Sequence, residues 1–182
     1  MDHADHVGLL RGAVNPGGTW ADIGAGSGAF TLALADLLGA GSRIVAVDRD
    51  AGALTQAVAA VESRFAGIAI EPRVADFTGP LDLPALDGLV AANSLHFVPR
   101  ARQAAVVAAL ATSLRPGGTF VIVEYDADDG NPWVPHPFRY PTWERLAAEA
   151  GLTGVRHLAR VRSRFLGAIY SAAARRPGGA RG

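Results

Sequence analysis

The stretch WADIGAGSGAF, residues 20–30, places an acid just before three closely spaced glycines, Gly24, Gly26 and Gly28. Glycines let a backbone approach a ligand closely, and a helix that follows offers N–H groups and the positive end of its dipole. Gly24, Gly26 and Ala29 also satisfy G-x-G-x-x-G/A, the dinucleotide spacing. About twenty residues on, the β-branched run RIVAV ends at Asp48, whose carboxylate can accept hydrogen bonds from both hydroxyls of a ribose. Loop and acid together imply an adenosine-containing ligand. Asp76, which ends a third such run, can accept from an exocyclic adenine amine, or simply cap the turn Thr78-Gly79-Pro80. A fourth run, LDGLVAA, opens onto Asn93-Ser94-Leu95-His96. An imidazole there can take a proton from a hydroxyl or amine, since its reference pKa is about 6.5. The alternative is a histidine that packs beneath the pocket.

The elements that must position these residues alternate. Thr19 to Ile23 reads as a strand feeding the glycines, and Ser27 as the cap of a helix with Phe30, Leu34, Leu37 and Leu38 at helical spacing, stopped by Gly39. Strands follow at 43–47, 68–75, 86–92 and 119–125, with helices at 50–65 and 100–114, the latter stopped by Arg115-Pro116-Gly117-Gly118. Such alternation implies right-handed crossovers and a parallel sheet covered on both faces. A helix over 142–150 precedes two strands, 153–161 and 164–174, with no room for a crossover helix, so these pair antiparallel. Residues 1–17 are expected to form a helical segment, 18–174 one domain, and 175–182 a frayed tail.

Composition removes several chemistries. All 17 basic residues are Arg, matched by 17 acids, so neither nucleic acid nor an anionic membrane is the expected partner. Without Lys there is no Schiff base, and without Cys no thiolate metal site or thiol nucleophile. No metal is expected, although His3, His6, His96 and His136 could be imagined around one. The polar N-terminus does not read as a signal peptide, and no apolar run approaches the roughly 20 residues of a membrane helix, so a soluble cytoplasmic protein is expected. Its assembly is open, a homodimer included.

Asp22 would repel a pyrophosphate but could help hold a ligand's ammonium group, and little chain remains for a dehydrogenase's substrate domain. Both points favour S-adenosylmethionine over NAD. At this level the chain resembles the class I S-adenosylmethionine-dependent methyltransferases over residues 18–174. ADIGAGSG resembles their first motif, VAVDRD the acidic end of strand two, VADF the adenine-facing turn, DGLVAANSLHFV the segment beside the methyl group, and LRPGG a frequent signature before a strand. The resemblance implies a Rossmann-like, doubly wound α/β domain with a seven-stranded sheet of order 3-2-1-4-5-7-6 and strand seven antiparallel. It also implies that Gly24, Gly26 and Gly28 line the cofactor's amino-acid end, Asp48 the ribose, Asp76 with Phe77 the adenine, and Asn93 or its neighbours the sulfonium side, with Arg49 also among the cofactor-binding residues.

The long stretch DADDGNPWVPHPFRYP, residues 126–141, breaks the alternation, and such loops are more often functional than filler. Trp133, His136, Phe138, Arg139 and Tyr140 could form a wall for a planar or anionic acceptor, with Tyr125 at the end of the preceding strand. With so short an N-terminal segment, this loop and the first helix must do most of the covering. The expected activity is methyl transfer to a small-molecule acceptor, with S-adenosylhomocysteine as product. His96 is the first candidate for a general base and His136 the second. The alternatives are a protein that uses the cofactor without methylating, and an NAD-dependent oxidoreductase.

Overall fold

Thr19–Ile23 forms β1 in the middle of the sheet, where parallel strands on both sides leave Ala21 and Ile23 wholly buried. The computed structural model describes residues 1–179. Around β1 are β2 (Arg43–Asp48), β3 (Ala69–Val74), β4 (Leu86–Ala92), β5 (Leu114–Tyr125), β6 (Thr153–Arg162) and β7 (Ala168–Arg175). They make one sheet of order β3-β2-β1-β4-β5-β7-β6, as the sequence leads one to expect. The first five strands run parallel, and β7 pairs antiparallel with both β5 and β6. Such an open parallel sheet presents its ligand crevice at the carboxyl ends of its strands.

The helices are α1 (His3–Leu10), α2 (Ala29–Leu38), α3 (Ala51–Arg64), α4 (Arg100–Ala111) and α5 (Tyr140–Glu149). Side chains alternate along the inner strands, so each face is apolar. Leu89, Phe120 and Ile122 pack with α4 and α5, whereas Val90, Val121 and Val123 pack with α1 and α2. The edge strand β3 is half exposed and carries Pro72, which cannot donate to a further strand.

Several boundaries differ from the sequence reading. Ser27 caps nothing: the N-cap of α2 is Gly28 in a left-handed conformation (φ 94°), without a side-chain hydrogen bond. A Cβ on Gly28 would lie 2.7 Å from that of Ala57 on α3, so this position is set by helix packing. β5 begins at Leu114, which pairs with Leu86 ahead of a register shift, five residues before the expected start. β7 begins at Ala168, leaving Arg164 in the turn before it. The expected frayed tail starts too early, because Arg175 pairs with Thr119 and Arg176 exchanges backbone hydrogen bonds with Gly117 and Gly118; its residues 180–182 lie outside those described.

Candidate active site

Sharp turns at the carboxyl ends of β1, β2 and β4 make a cavity of about 470 Å³. Gly24 turns the chain at φ 74°, and a Cβ there would lie 2.6 Å from the Ser94 Cβ, so only glycine lets the loop pass this close. At Gly26 a Cβ would meet nothing within 4 Å, because it would project into open space. The Gly26 N–H donates to Asp48 Oδ2 at 2.8 Å, and Asp48 Oδ1 accepts from the Asp50 N–H at 2.9 Å. One carboxylate therefore fixes both the glycine loop and the start of α3.

The opposite wall comes from the segment after β3 and the turn after β4. Asp76 accepts the Thr78 N–H at 2.8 Å; bonds from Thr78, and then Arg49 and Arg102, hold its carboxyl below the usual range. It caps its turn while also lining the cavity with Arg49 and Phe77. Asn93 has φ 50°, uncommon for a residue with a side chain, and its N–H bonds the Val123 carbonyl. Among the described residues, Asn93 Oδ1 and Ser94 Oγ are buried polar atoms without a hydrogen-bond partner, and both residues line this cavity. Orphaned buried acceptors and donors are costly and mark a place where a ligand's polar groups fit. Phe97 and Arg102, which the sequence did not single out, complete the wall.

Two residues expected at the cofactor stand behind it. Gly28 packs on α3, as described. Asp22 is 1% exposed and lies outside the lining; its Oδ2 accepts the Thr31 hydroxyl at 2.6 Å, and burial pushes its carboxyl up to about 6.

His96 is buried in the short turn Leu95–Phe97 and does not line the cavity. Its Nδ1 donates to Glu124 Oε1 at 2.8 Å and its backbone N–H to Glu124 Oε2 at 3.1 Å. Glu124 also accepts the Tyr125 N–H at 2.7 Å. With Nδ1 facing Glu124, Nε2 is the ring nitrogen that this pairing leaves for another partner. The other proposed base, His136, is half-buried; its N–H donates to the His96 carbonyl at 2.9 Å, and Gln103 bonds its own carbonyl.

The aromatic wall expected over 126–141 does not form as one surface. Phe138 is fully buried in the core beside α5, and its carbonyl accepts the Tyr170 hydroxyl. Tyr140 packs edge-on against His157 and Tyr170. Tyr125 is nearly buried, its ring edge-on to His96 at 5.3 Å. Of the wall's aromatic rings among the described residues, only Trp133 stands in solvent, 71% exposed, together with the Arg139 side chain. Nor does α1 cover the cavity: it packs on α2, with the His6 ring on Phe30 and His3 paired with Asp36. The histidines are thus dispersed, and no group of potential metal ligands is found among the described residues. No described helix is long and apolar enough to cross a membrane.

No curated protein matches the chain in sequence. Among solved structures it resembles the 1,6-didemethyltoxoflavin-N1-methyltransferase of Burkholderia thailandensis, crystallised with S-adenosylhomocysteine (TM-score 0.74, 18% identity, covering 96% of this chain and 78% of that one). It also resembles YcgJ of Bacillus subtilis (0.74, 13%, 97% and 100%). NodS, an N-methyltransferase of Bradyrhizobium japonicum, is a further neighbour (0.70, 22%, 96% and 85%). At these identities the likeness carries the fold. Residues 21–118 match the family model described as a methyltransferase domain, a span that runs from the glycine loop to the start of β5. With that match over more than half of its length, the chain belongs to the methyltransferase-domain family and has the fold of the class I S-adenosylmethionine-dependent enzymes.

Proposed function

We propose that this protein binds S-adenosylmethionine in the cavity described and transfers its methyl group to a small-molecule acceptor, releasing S-adenosylhomocysteine. The observation that carries the reading is the cavity itself, with a glycine loop pinned by Asp48 on one side and the unpartnered Asn93 Oδ1 and Ser94 Oγ on the other. In this reading Asp48 and Arg49 hold the ribose, and Asp76 and Phe77 the adenine. Gly24 and Gly26 give close backbone approach at the amino-acid end, and Asn93 and Ser94 flank the sulfonium. The cofactor supplies a methyl group already activated on sulfur. What remains for the protein is alignment of the acceptor and exclusion of water.

His96 is the proposed base for an acceptor that carries a proton, with Glu124 fixing its Nδ1–H tautomer; His136 is the second candidate. The buried His96 ring must come within reach of the acceptor once both ligands are in place, as catalytic hydrogen bonds often do only in the complex. The Burkholderia thailandensis neighbour, named as a methyltransferase of 1,6-didemethyltoxoflavin, supports a small-molecule acceptor. We place the reaction in the cytoplasm, which fractionation of the source cells tests.

The test of the cofactor is calorimetric titration of the purified chain with S-adenosylmethionine, S-adenosylhomocysteine and NAD, each alone. Binding of both sulfur compounds and not of NAD is expected; binding of NAD alone overturns the reading. His96→Ala is expected to lower turnover far more than cofactor affinity, and unchanged turnover removes His96 from the chemistry.

A further inference from the structure

Among the described residues, five large apolar side chains stand exposed, and three of them, Phe97 (60%), Trp133 (71%) and Phe165 (69%), lie at the ligand end of the sheet. Phe97 follows β4 and lines the cofactor cavity. Trp133 is in the loop after β5. Phe165 is in the turn between β6 and β7, and the pairing of Tyr125 with Ile169 and of Ala168 with Arg162 brings that turn to the same end. A single exposed aromatic needs no explanation, but aromatics gathered along one rim mark a binding surface.

The three are joined by short links. The His96 carbonyl, one residue before Phe97, accepts the His136 N–H. Asn131 folds the turn that carries Trp133, its Oδ1 accepting the N–H groups of Trp133 and Val134 at 2.9 Å each. The Asn131 Nδ2 donates to the Phe165 carbonyl at 3.3 Å, tying that turn to the β6–β7 turn. Two of the neighbouring acids are matched within the protein: Asp126 pairs with Arg160 and Asp128 with Arg139, each at 3.1 Å. What Phe97, Trp133 and Phe165 themselves offer a ligand is aromatic ring surface.

We propose that Phe97, Trp133 and Phe165 form the acceptor site and that the acceptor is a planar aromatic small molecule. The inference rests on the methyl-transfer reading above. It narrows the planar-or-anionic choice left by the sequence, moves the site from Phe138 and Tyr140 to residues that can touch a ligand, and adds Phe165. Ring-on-ring contacts favour a flat aromatic over a saturated skeleton of the same size.

The test uses the full chain, ¹⁵N-labelled and saturated with S-adenosylhomocysteine, and two probes of one carbon skeleton, 2-naphthol and decahydro-2-naphthol. Trp20 and Trp143 are 4% and 0% exposed, so the Trp133 indole N–H is a separate reporter. The expected result is a shift of the Trp133 signal with 2-naphthol and about three- to tenfold tighter binding than the saturated probe. Trp133→Ala and Phe165→Ala, both at exposed positions, are expected to abolish that preference and leave the affinity for S-adenosylhomocysteine unchanged. No binding of either probe, equal binding of the two, or an unmoved Trp133 signal overturns the proposal. So does Trp133-dependent association of the chain with phosphatidylcholine vesicles, which would assign the rim to a lipid surface. If S-adenosylhomocysteine itself fails to bind in a separate titration, the methyl-transfer reading falls first and this inference with it.

Discussion

At the cofactor end of the sheet the backbone makes the surface. Gly24, Gly26 and Asn93 take left-handed conformations, and Asp48 ties the loop to the start of α3 by accepting the Gly26 N–H at 2.8 Å and the Asp50 N–H at 2.9 Å. At the rim beyond Phe97, two turns held together by the Asn131 side chain present exposed rings. The first region is specified by φ angles and a carboxylate, and any change there propagates into the sheet. The second is specified by what its side chains are, and the fold beneath hardly depends on them. The cofactor half is thus expected to be rigid and intolerant of substitution, and the rim tolerant.

That contrast can be broken at defined positions. The largest effect is expected for Gly28→Ala, which adds both a strained φ and a Cβ 2.7 Å from that of Ala57. A loss of about 3 kcal/mol, or roughly 6–12 °C in Tm, should appear by calorimetric melting; a melt like that of the parent would show that α2 and α3 adjust freely. Next comes Asp48→Ala, which removes the acceptor of two backbone N–H groups. Affinity for S-adenosylhomocysteine should fall about 10- to 100-fold, on the order of 2 kcal/mol, and retained affinity would mean that the loop holds its shape unaided.

A smaller effect, opposite in sign, is expected at Asp22. Its carboxyl pKa is raised from the usual 3.8 to about 6 by burial, so the native state holds the proton more tightly than the unfolded chain. Stability is therefore greatest below about pH 4 as far as this group is concerned, and falls as pH rises through 6. Asp22→Asn should raise stability by about 1–2 kcal/mol at pH 7.5 and bring no gain below pH 4; denaturant unfolding at the two pH values checks it. The smallest effect is expected at the rim: Asn131→Ala should cost about 1 kcal/mol or less by the same measurement and leave S-adenosylhomocysteine affinity as it was. A large loss of cofactor affinity there would erase the distinction between the two regions.

The strands and the glycine loop were legible because their signals are local, whereas the strand order came from the family resemblance. An apolar run of five to seven residues, a glycine that permits a positive φ, and an acid at a strand's end each act within a few residues of chain. Helix and strand limits were read less well where a neighbour decided them. Leu114 joins β5 only because Leu86 lies beside it, and Ser27 loses the cap because Gly28 is pressed against Ala57. The functional side chains divide in the same way. Gly24, Gly26, Asp48, Arg49, Asp76, Phe77 and Asn93 come together around one cavity, since strand ends of a parallel sheet converge wherever the crossovers are short.

The sequence by itself determined the alternation of strands and helices, the kind of nucleotide-like ligand the first turn suits, and the exclusion of thiol and lysine chemistry. These follow from residue type and short spacing, which fix backbone conformation and reactivity before any packing occurs. Only the tertiary structure decided that Gly28 serves helix packing, that Asp22 lies behind the loop, and that Phe138 and Tyr140 face the body while Trp133 and Phe165 face outward. It alone joined His96 to Glu124, 28 residues away. A side chain in a turn points to whichever surface offers it burial or a partner, and that surface is built by distant parts of the chain.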